Sequence, residues 1–361
     1  MVASREKFVV SEGQRYKTKR GGWIMGQKRV KVAVDAMGGD YAPVEIVKGA
    51  VQAARRGGVE IILVGPLARL EEELASYDWK GLPIKLHDAP QFIRDGEPPA
   101  VALRAKPNAS VMVAARLVRE GEADAALSMG HTGAVMIAAR WAFGNIEGME
   151  RPVGGGVPFG LAPRTVVLDL GPNVDCKPRQ FVQFAALGVA YARCLLGIAE
   201  PRVGLLSNGT EEGKGNRQTR EAYKLLRRSG LNFVGNVEGW DIFAERADVI
   251  VCDGFVGNVV LKFSEGLGAA LANWLGEKLA GLLPSGEREG LVSELRGLME
   301  VEERIGGGPL LGVKGVMIAG HGRSKAPAVE KAIQQAKLAV ESHLIEAIEA
   351  EWHKVRQAIQ N

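Results

Sequence analysis

The chain reads as a three-layer α/β/α protein on a mostly parallel sheet, with a helical-hairpin arm added. Three observations predict this. Short runs rich in Val, Ile and Leu recur along the chain, as expected of strands buried on both faces. Stretches of helical spacing separate them. Glycine-rich loops follow the apolar runs, and glycine makes up 47 of 361 residues, nearly double ordinary usage. In open α/β sheets ligands bind at the C-terminal strand edges, where such loops fall.

The elements follow in order. RVKVAV (29–34) is a strand, then come the loop DAMGGDYAP and a helix over 43–56. EIILVG (60–65) leads to the helix LARLEEELASY, and PIKLHD (83–88) to a polar loop holding Pro98, Pro99 and Pro107. The helix SVMVAARLVREG comes next. ADAAL is too short for a helix and reads as a buried strand, with SMGHTGA (128–134) as a strand-to-helix turn before VMIAARWAF. TVVLDLGPNVD (165–175) precedes a helix to about 195. RVGLLSNG (202–209) and TEEGKGN lead into TREAYKLLRRSG, followed by NFVGNV, DVIVCDGFVGN and a long helix from about 258. From about 265 to 304 two amphipathic helices flank LLPSGERE. That hairpin is an arm on a partner chain, a membrane-surface element, or a hairpin packed on its own domain. LLGVKGVMIAGHGRS and a helix over 326–356 close the chain. The expected organisation is a disordered extension (1–28), an α/β domain with the arm (29–340), and a C-terminal helix and tail (341–361).

Composition excludes several classes. The formal charge is +4, but residues 1–29 alone carry eight Lys/Arg and two Glu, so the remainder is net −2 and is no basic nucleic-acid binder. Cys176, Cys194 and Cys252 have no paired spacing and read as reduced cytosolic thiols. The N-terminus lacks a signal-peptide core. No charge-free run of about 18 apolar residues is present, so no bilayer span is expected.

Chemistry is expected in the strand-end loops. In DAMGGD, Gly38 and Gly39 expose amides beside Asp40, or simply form a tight turn. In SMGHTGA, Ser128, Gly130, His131, Thr132 and Gly133 form either an ordinary capped turn, with Thr132 as N-cap, or an anion site on free helix-start amides. LDLGPNVDCKP carries Asn173, Asp175 and Lys177, as loop caps or as site groups. SNGTEEGKGN carries Gly209, Thr210, Gly213, Lys214, Gly215 and Asn216. It fails the P-loop pattern, since Gly215 follows Lys214, yet offers an ammonium between glycines. DGFVGN supplies Asp253, Gly254 and Asn258, the last a site group or a helix cap, and HGRS supplies His321. If the sheet is parallel these loops converge on an anion-seeking cleft. No HxxxH, CxxC or tight carboxylate cluster calls for a metal, and no GxSxG elbow calls for a serine hydrolase.

Taken together, VAVDAMGGDYAP, SMGHTGA, LDLGPNVDCKP, PRVGLLSNGTEEGKGN, FVGNVEG, ADVIVCDGFVGNVVLK and LLGVKGVMIAGHGRS resemble the bacterial phosphate acyltransferase family, PlsX, from about residue 30 to 340. The resemblance implies transfer of an acyl group from acyl carrier protein to inorganic phosphate, without a cofactor. The acyl phosphate then serves a membrane glycerol-3-phosphate acyltransferase. It implies a fold similar to the isocitrate/isopropylmalate dehydrogenases and to phosphotransacetylase. It also implies a cytoplasmic homodimer with a helical arm, peripheral at an anionic membrane face. His131 stands where the family usually has Asn, and Asn208 where a small apolar residue is common.

The implied chemistry suits the loops. Phosphate is itself a nucleophile and a thioester is an activated donor, so no covalent enzyme intermediate is required. The protein must hold phosphate roughly 3–3.5 Å from the thioester carbon and stabilise an oxyanion. Phosphate is expected at the amides of Gly130–Gly133, His131, Lys214 and Asn216. Lys177, Asn258 and His321 are expected at the oxyanion or leaving group. Two rivals are weighed. A metal- and NAD-dependent decarboxylating dehydrogenase needs more than Asp248 and Asp253, and needs arginines for a hydroxy-diacid. A non-enzymatic acyl-carrier binding module has no need of so many polar strand-end loops.

Overall fold

Two runs of buried strands, rather than one, organise the chain. The computed structural model describes residues 15–17, 23–25, 29–94, 96–157, 159–299 and 305–360. In the expected N-terminal extension, β1 (Arg15–Lys17) and β2 (Trp23–Met25) pair antiparallel. The rest of that extension and residues 300–304 of the arm lie outside the described residues.

The first sheet uses β3 (Val30–Asp35), β4 (Val59–Gly65), β5 (Ile84–Asp88), β6 (Ala125–Ser128), β12 (Gly308–Pro309) and β13 (Val316–Ala319). Its order is β12-β13-β6-β3-β4-β5, parallel except for β12. The second uses β7 (Gly155–Gly156), β8 (Val166–Leu168), β9 (Val203–Leu206), β10 (Phe233–Val237) and β11 (Val249–Val251), in the order β10-β9-β11-β8-β7, parallel except for β7. The expected three-layer architecture on a single sheet is therefore corrected to two sheets.

The physical reason lies at their edges. β7 and β12 are two-residue strands that run antiparallel to their sheets. Pro309 has no N–H to carry a ladder further. Beside these edges the backbone makes a reciprocal pair, Val153 N–H donating to the Leu311 carbonyl (2.9 Å) and Leu311 N–H to that of Val153 (3.0 Å), and one buried hydrophobic core runs through both sheets.

Helices α1 (Val44–Arg56), α2 (Leu67–Leu74), α4 (Ser110–Arg119) and α5 (Thr132–Phe143) serve the first sheet, and α6 (Pro178–Leu196) and α7 (Arg217–Arg227) the second. The polar loop expected at Pro98–Pro99 instead forms a helix, α3 (Pro99–Ala105). Pro99 takes its first position, where a missing N–H costs nothing. The long helix α8 (Gly254–Lys278) begins four residues earlier than expected, because Asp253 Oδ1 accepts the Val256 N–H at 2.9 Å. The C-terminal helix divides into α10 (Ala326–Glu341) and α11 (Leu344–Gln360) at His343, whose φ is 53°. α11 is no loose tail: Trp352 is buried and its Nε1–H donates to the Glu147 carbonyl at 2.9 Å.

α8 and α9 (Ser285–Met299) form the hairpin, with Gly276 letting Val292 approach. The buried seam of α8 is mostly small: Gly254, Gly257, Leu261, Ser264, Gly268, Ala272. Its opposite face exposes Phe255, Val259, Phe263, Leu267, Leu271 and Trp274. By length and composition α8 is apolar enough to cross a bilayer, with mean hydropathy 1.2, where no such run was expected. Its first turns nevertheless pack on the second sheet.

That packing depends on Gly257, where a Cβ would lie 1.9 Å from the Asp169 carbonyl oxygen. Gly257→Ala must lift α8 off the end of β8, and a loss of about 1–3 kcal/mol is expected. Urea unfolding tests this, and an unchanged midpoint would show that α8 has slack there.

Candidate functional site

The C-terminal strand ends of the two sheets carry the loops. DAMGGD, SMGHTGA and GHGRS follow β3, β6 and β13; LDLGPN, SNGTEEGKGN and DGFVGN follow β8, β9 and β11. Between the sheets lies a cleft of about 610 Å³. Its polar wall is made by Thr132 and Gly133 at the start of α5, Gly171 after β8, Asn258 on α8, and Gly320 and His321 after β13. Its apolar wall includes Met136, Val157, Leu170, Leu261 and Leu310. Lys262 and Glu265, which the sequence reading did not single out, stand at its edge as an ion pair (3.0 Å).

The start of α5 differs from expectation in one detail. His131, not Thr132, is the N-cap: its Nδ1 accepts the Gly133 N–H at 3.1 Å. An accepting Nδ1 places the ring proton on Nε2. The Ala134 N–H goes to the His131 carbonyl (2.8 Å), which leaves the Thr132 N–H without a protein acceptor among the described residues. The His321 ring is placed similarly, Nδ1 accepting the Arg323 N–H at 3.3 Å. Asn258 does not cap α8; it sits one turn in, and its Nδ2 donates to the Leu170 carbonyl at 3.4 Å.

Across the same turn lies a second cavity of about 210 Å³, lined by Asp35, Gly38, Gly39, Ser128, Gly130 and His131, among others. Asp35 and Ser110 are functional candidates that the sequence reading missed. Ser128 Oγ–H donates to Asp35 Oδ2 at 2.6 Å and accepts the Gly130 N–H at 3.0 Å. Burial pushes the Asp35 carboxyl up, opposed by hydrogen bonds from Ser110 and Ser128. Gly38 is required here, because a Cβ would meet Asp35 Oδ2 at 2.6 Å and the Gly130 nitrogen at 2.8 Å. Asp40 is exposed beside this cavity, its N–H donating to the Gly322 carbonyl at 2.8 Å.

A second missed carboxyl, Asp169, ends β8. It accepts from the Gly171 N–H (3.1 Å) and from both the N–H and the Nδ2 of Asn173 (2.7 Å each). Burial raises its pKa to about 6 against the pull of Asn173. Asn173 thus shapes the loop from beneath instead of facing a ligand. Gly254 lets α8 press on this loop: a Cβ there would meet the Gly171 carbonyl at 2.8 Å. Nearby Cys176 is pushed up to about 12 by burial, and Cys252 is pushed up by the same cause. Neither is a ready thiolate.

Other expected residues lie outside the lining of both cavities. Asp175 is exposed, and Lys177 is exposed at the head of α6 with Glu150 3.6 Å away. The loop from Ser207 to Asn216 closes on itself. Asn208 Oδ1 takes the Gly215 N–H (2.9 Å), Asn216 Oδ1 caps α7 through the Thr219 N–H (2.9 Å), and the Lys214 stem lies over Gly209. Thr210, Gly213 and Lys214 are solvent-facing. Asp253 is buried as the cap of α8 and also receives Gln218 Nε2–H at 2.9 Å.

With this geometry in hand, similarity to known proteins can be placed. Residues 30–347 match a family model described as "Fatty acid synthesis protein". Phosphate acyltransferase of Pelotomaculum thermopropionicum is 49% identical, covering 88% of this chain and 94% of its own length. That of Moorella thermoacetica is 48% identical, covering 88% and 95%, and that of Desulforudis audaxviator 44%, covering 91% and 98%. Among solved structures, a phosphotransacetylase from Streptococcus pyogenes aligns with TM-score 0.58 at 16% identity, covering 88% of this chain and 94% of its own. The EutD phosphotransacetylase from Staphylococcus aureus aligns with TM-score 0.54 at 14% identity, covering 87% and 94%. The fold is thus similar to that of phosphotransacetylases, and the expected isocitrate/isopropylmalate dehydrogenase-like class is corrected accordingly.

The raised Asp169 carboxyl makes a pH prediction. Its folded pKa, about 6, lies above the ordinary 3.8, so the folded state holds this proton more tightly than the unfolded state. Its stabilising contribution is complete below about pH 4 and is lost as pH rises to about 6, by about 3 kcal/mol at most. Relative to Asp169→Asn, the parent should lose stability across that window and run parallel above it. Urea midpoints from pH 4 to 8 decide it; a difference that is flat with pH would place the titration elsewhere.

Proposed function

The chain belongs to the Fatty acid synthesis protein family, among the phosphate acyltransferases, and from that premise we propose that it transfers a fatty acyl group from acyl carrier protein to inorganic phosphate. A phosphate oxygen forms the new bond to the acyl carbon, the carbon–sulfur bond breaks, and the carrier thiolate leaves. The supporting observation is the cleft itself, where Met136, Val157, Leu170, Leu261 and Leu310 line the same space of about 610 Å³ as the amide-bearing start of α5.

Direct attack suits the groups present. The buried thiols of Cys176 and Cys252 are raised away from thiolate, and Ser128 already donates its proton to Asp35. The Thr132 N–H is the donor best placed at the cleft wall for a developing oxyanion. Asn258 and His321 on the same wall are the other polar groups for the thioester or its leaving sulfur. A thiol of pKa near 8.5 leaves without a strong acid. Phosphate is held at the Gly130–Gly133 turn. Lys214, Asn216 and Lys177, outside the lining, act at most on the approach of the anionic substrates.

The exposed apolar face of α8 is the homodimer surface in this reading, and the hairpin tip, with Leu282 75% exposed, meets an anionic membrane face. In this reading the enzyme works in the cytoplasm, peripherally at the inner membrane, and acyl phosphate passes to a membrane glycerol-3-phosphate acyltransferase.

The test is mass-spectrometric detection of acyl phosphate from acyl carrier protein thioester and phosphate, with phosphate omitted as control. Thioester left intact in both reactions would overturn the proposal. Within it, His131→Asn keeps a side-chain acceptor for the Gly133 N–H and should retain turnover within about threefold. His131→Ala loses a cap of about 1 kcal/mol and should fall by about fivefold at fixed phosphate. Equal rates for the two variants would show that the cap does not hold the reacting turn.

A further inference from the structure

The small cavity has a rim and a floor of opposite character. At the rim, the Arg69 and Arg94 guanidinium carbons lie 5.4 and 5.8 Å from the centre of the same ring, Phe92. Neither guanidinium is in an ion pair among the described residues. The carboxylate near Arg94, Glu97, is engaged by Lys106 Nζ at 2.6 Å and by the Arg94 N–H at 2.8 Å. Two cations without ion-pair partners among the described residues, both lining one cavity, attract an anion to it.

The floor is made of Asp35, Ser110 and Ser128, which are 3%, 2% and 0% exposed. Asp35 accepts from the Ser128 hydroxyl at 2.6 Å, from the Ser110 hydroxyl and from the Met37 N–H at 3.2 Å. With both hydroxyl protons turned toward Asp35, the serine oxygens offer acceptor capacity to the cavity rather than protons, Ser128 Oγ already taking the Gly130 N–H. The floor therefore accepts hydrogen bonds while the rim donates them. A fully deprotonated anion is attracted by the rim and repelled by the floor. An anion that keeps a proton satisfies both.

We propose that this cavity seats the inorganic phosphate used as acyl acceptor, with Arg69 and Arg94 drawing it in and Asp35 making the floor select a protonated phosphate over sulfate. Near neutral pH phosphate retains at least one proton and sulfate retains none. A phosphate with its P–OH on the floor points its charged oxygens at the arginines. The cavity shares the Gly130–His131 turn with the acyl cleft, whose lining begins at the next residue, Thr132. About 210 Å³ is ample for one phosphate, since a single water needs only about 10–15 Å³ on a similar measure. The identification of phosphate as co-substrate rests on the proposed function; the selectivity rests on the cavity.

The experiment is calorimetric binding of inorganic phosphate and, separately, of sulfate to the full chain at pH 7.5 without acyl donor, alongside the acyl phosphate assay. Phosphate should bind at least tenfold more tightly than sulfate. The double variant Arg69→Met/Arg94→Met should weaken phosphate about tenfold or more and raise its KM, with the KM for the acyl donor unchanged. Asp35→Asn, which makes the floor a donor, should bring phosphate and sulfate within about threefold of each other. Should Asp35→Asn not fold, Ser110→Ala, which removes one floor acceptor, should narrow the ratio in the same direction. Equal binding of the two anions by the parent, or unchanged phosphate binding and KM in the arginine variant, overturns the proposal even if acyl phosphate forms. Phosphate-selective binding lost in the arginine variant supports the cavity even where no acyl phosphate is made, an outcome that overturns the acyl-transfer reading alone.

Discussion

The short bond from Ser128 Oγ–H to Asp35 organises the end of the first sheet that matters for chemistry. It joins the last residues of two neighbouring parallel strands, β3 and β6, at the point where both become loops. Because Ser128 Oγ also accepts the Gly130 N–H, the bond reaches into the turn that starts α5. The first amides of α5, and the His131 ring that caps them, therefore stand on a buried carboxyl rather than on a free loop. Such a group is costly to bury without partners, and here each of its partners belongs to an element that touches a cavity. The same small network faces the smaller cavity on one side and supports the larger cleft on the other.

The second sheet answers with a comparable arrangement. Asp169 follows β8 and gathers the Gly171 and Asn173 donors beside the cleft, while Asp253, just after β11, caps α8. Gly254 and Gly257 allow α8 to lie against that loop at distances no side chain permits. α8 is thus held by backbone proximity along a seam of small residues, and its larger apolar side chains are left on the outer face. A helix packed in this way supplies Asn258 and Leu261 to the cleft while leaving a hydrophobic face exposed.

Two sheets that meet beside their short edge strands differ functionally from one sheet with a continuous edge. On one sheet, six strand-end loops would compete for a single crevice. Here the loops are divided three and three, and the gap between them has walls of different character. The α5 start and the Gly320–His321 loop bring polar groups, whereas Met136, Leu261 and Leu310 bring carbon surface. The gap therefore combines backbone amides and polar side chains with carbon surface in one space.

Much of this was legible in the residues. Strand runs such as EIILVG and VIV record burial on both faces, and their glycine-rich followers mark strand ends, because those patterns depend on local period and backbone freedom. Family membership was legible for a similar reason: long motifs survive in fixed order. The site was legible only in part. Lys214 has the right chemistry for an anion, yet Asn208 and Asn216 close its loop on itself, a contact that no local pattern announces. Asp35 and Asp169 read as ordinary loop carboxylates, since burial is a property of what packs over them.

By itself, the sequence determined which segments are strands, which loops end them and which family the chain joins. Only the tertiary structure decided that the strands divide into two sheets and which loops face the gap. The division turns on edge strands two residues long and a proline without a donor, and the regions meet through a shared core and a backbone pair between Val153 and Leu311. That pair joins residues more than 150 positions apart, beyond the reach of any periodicity read along the chain.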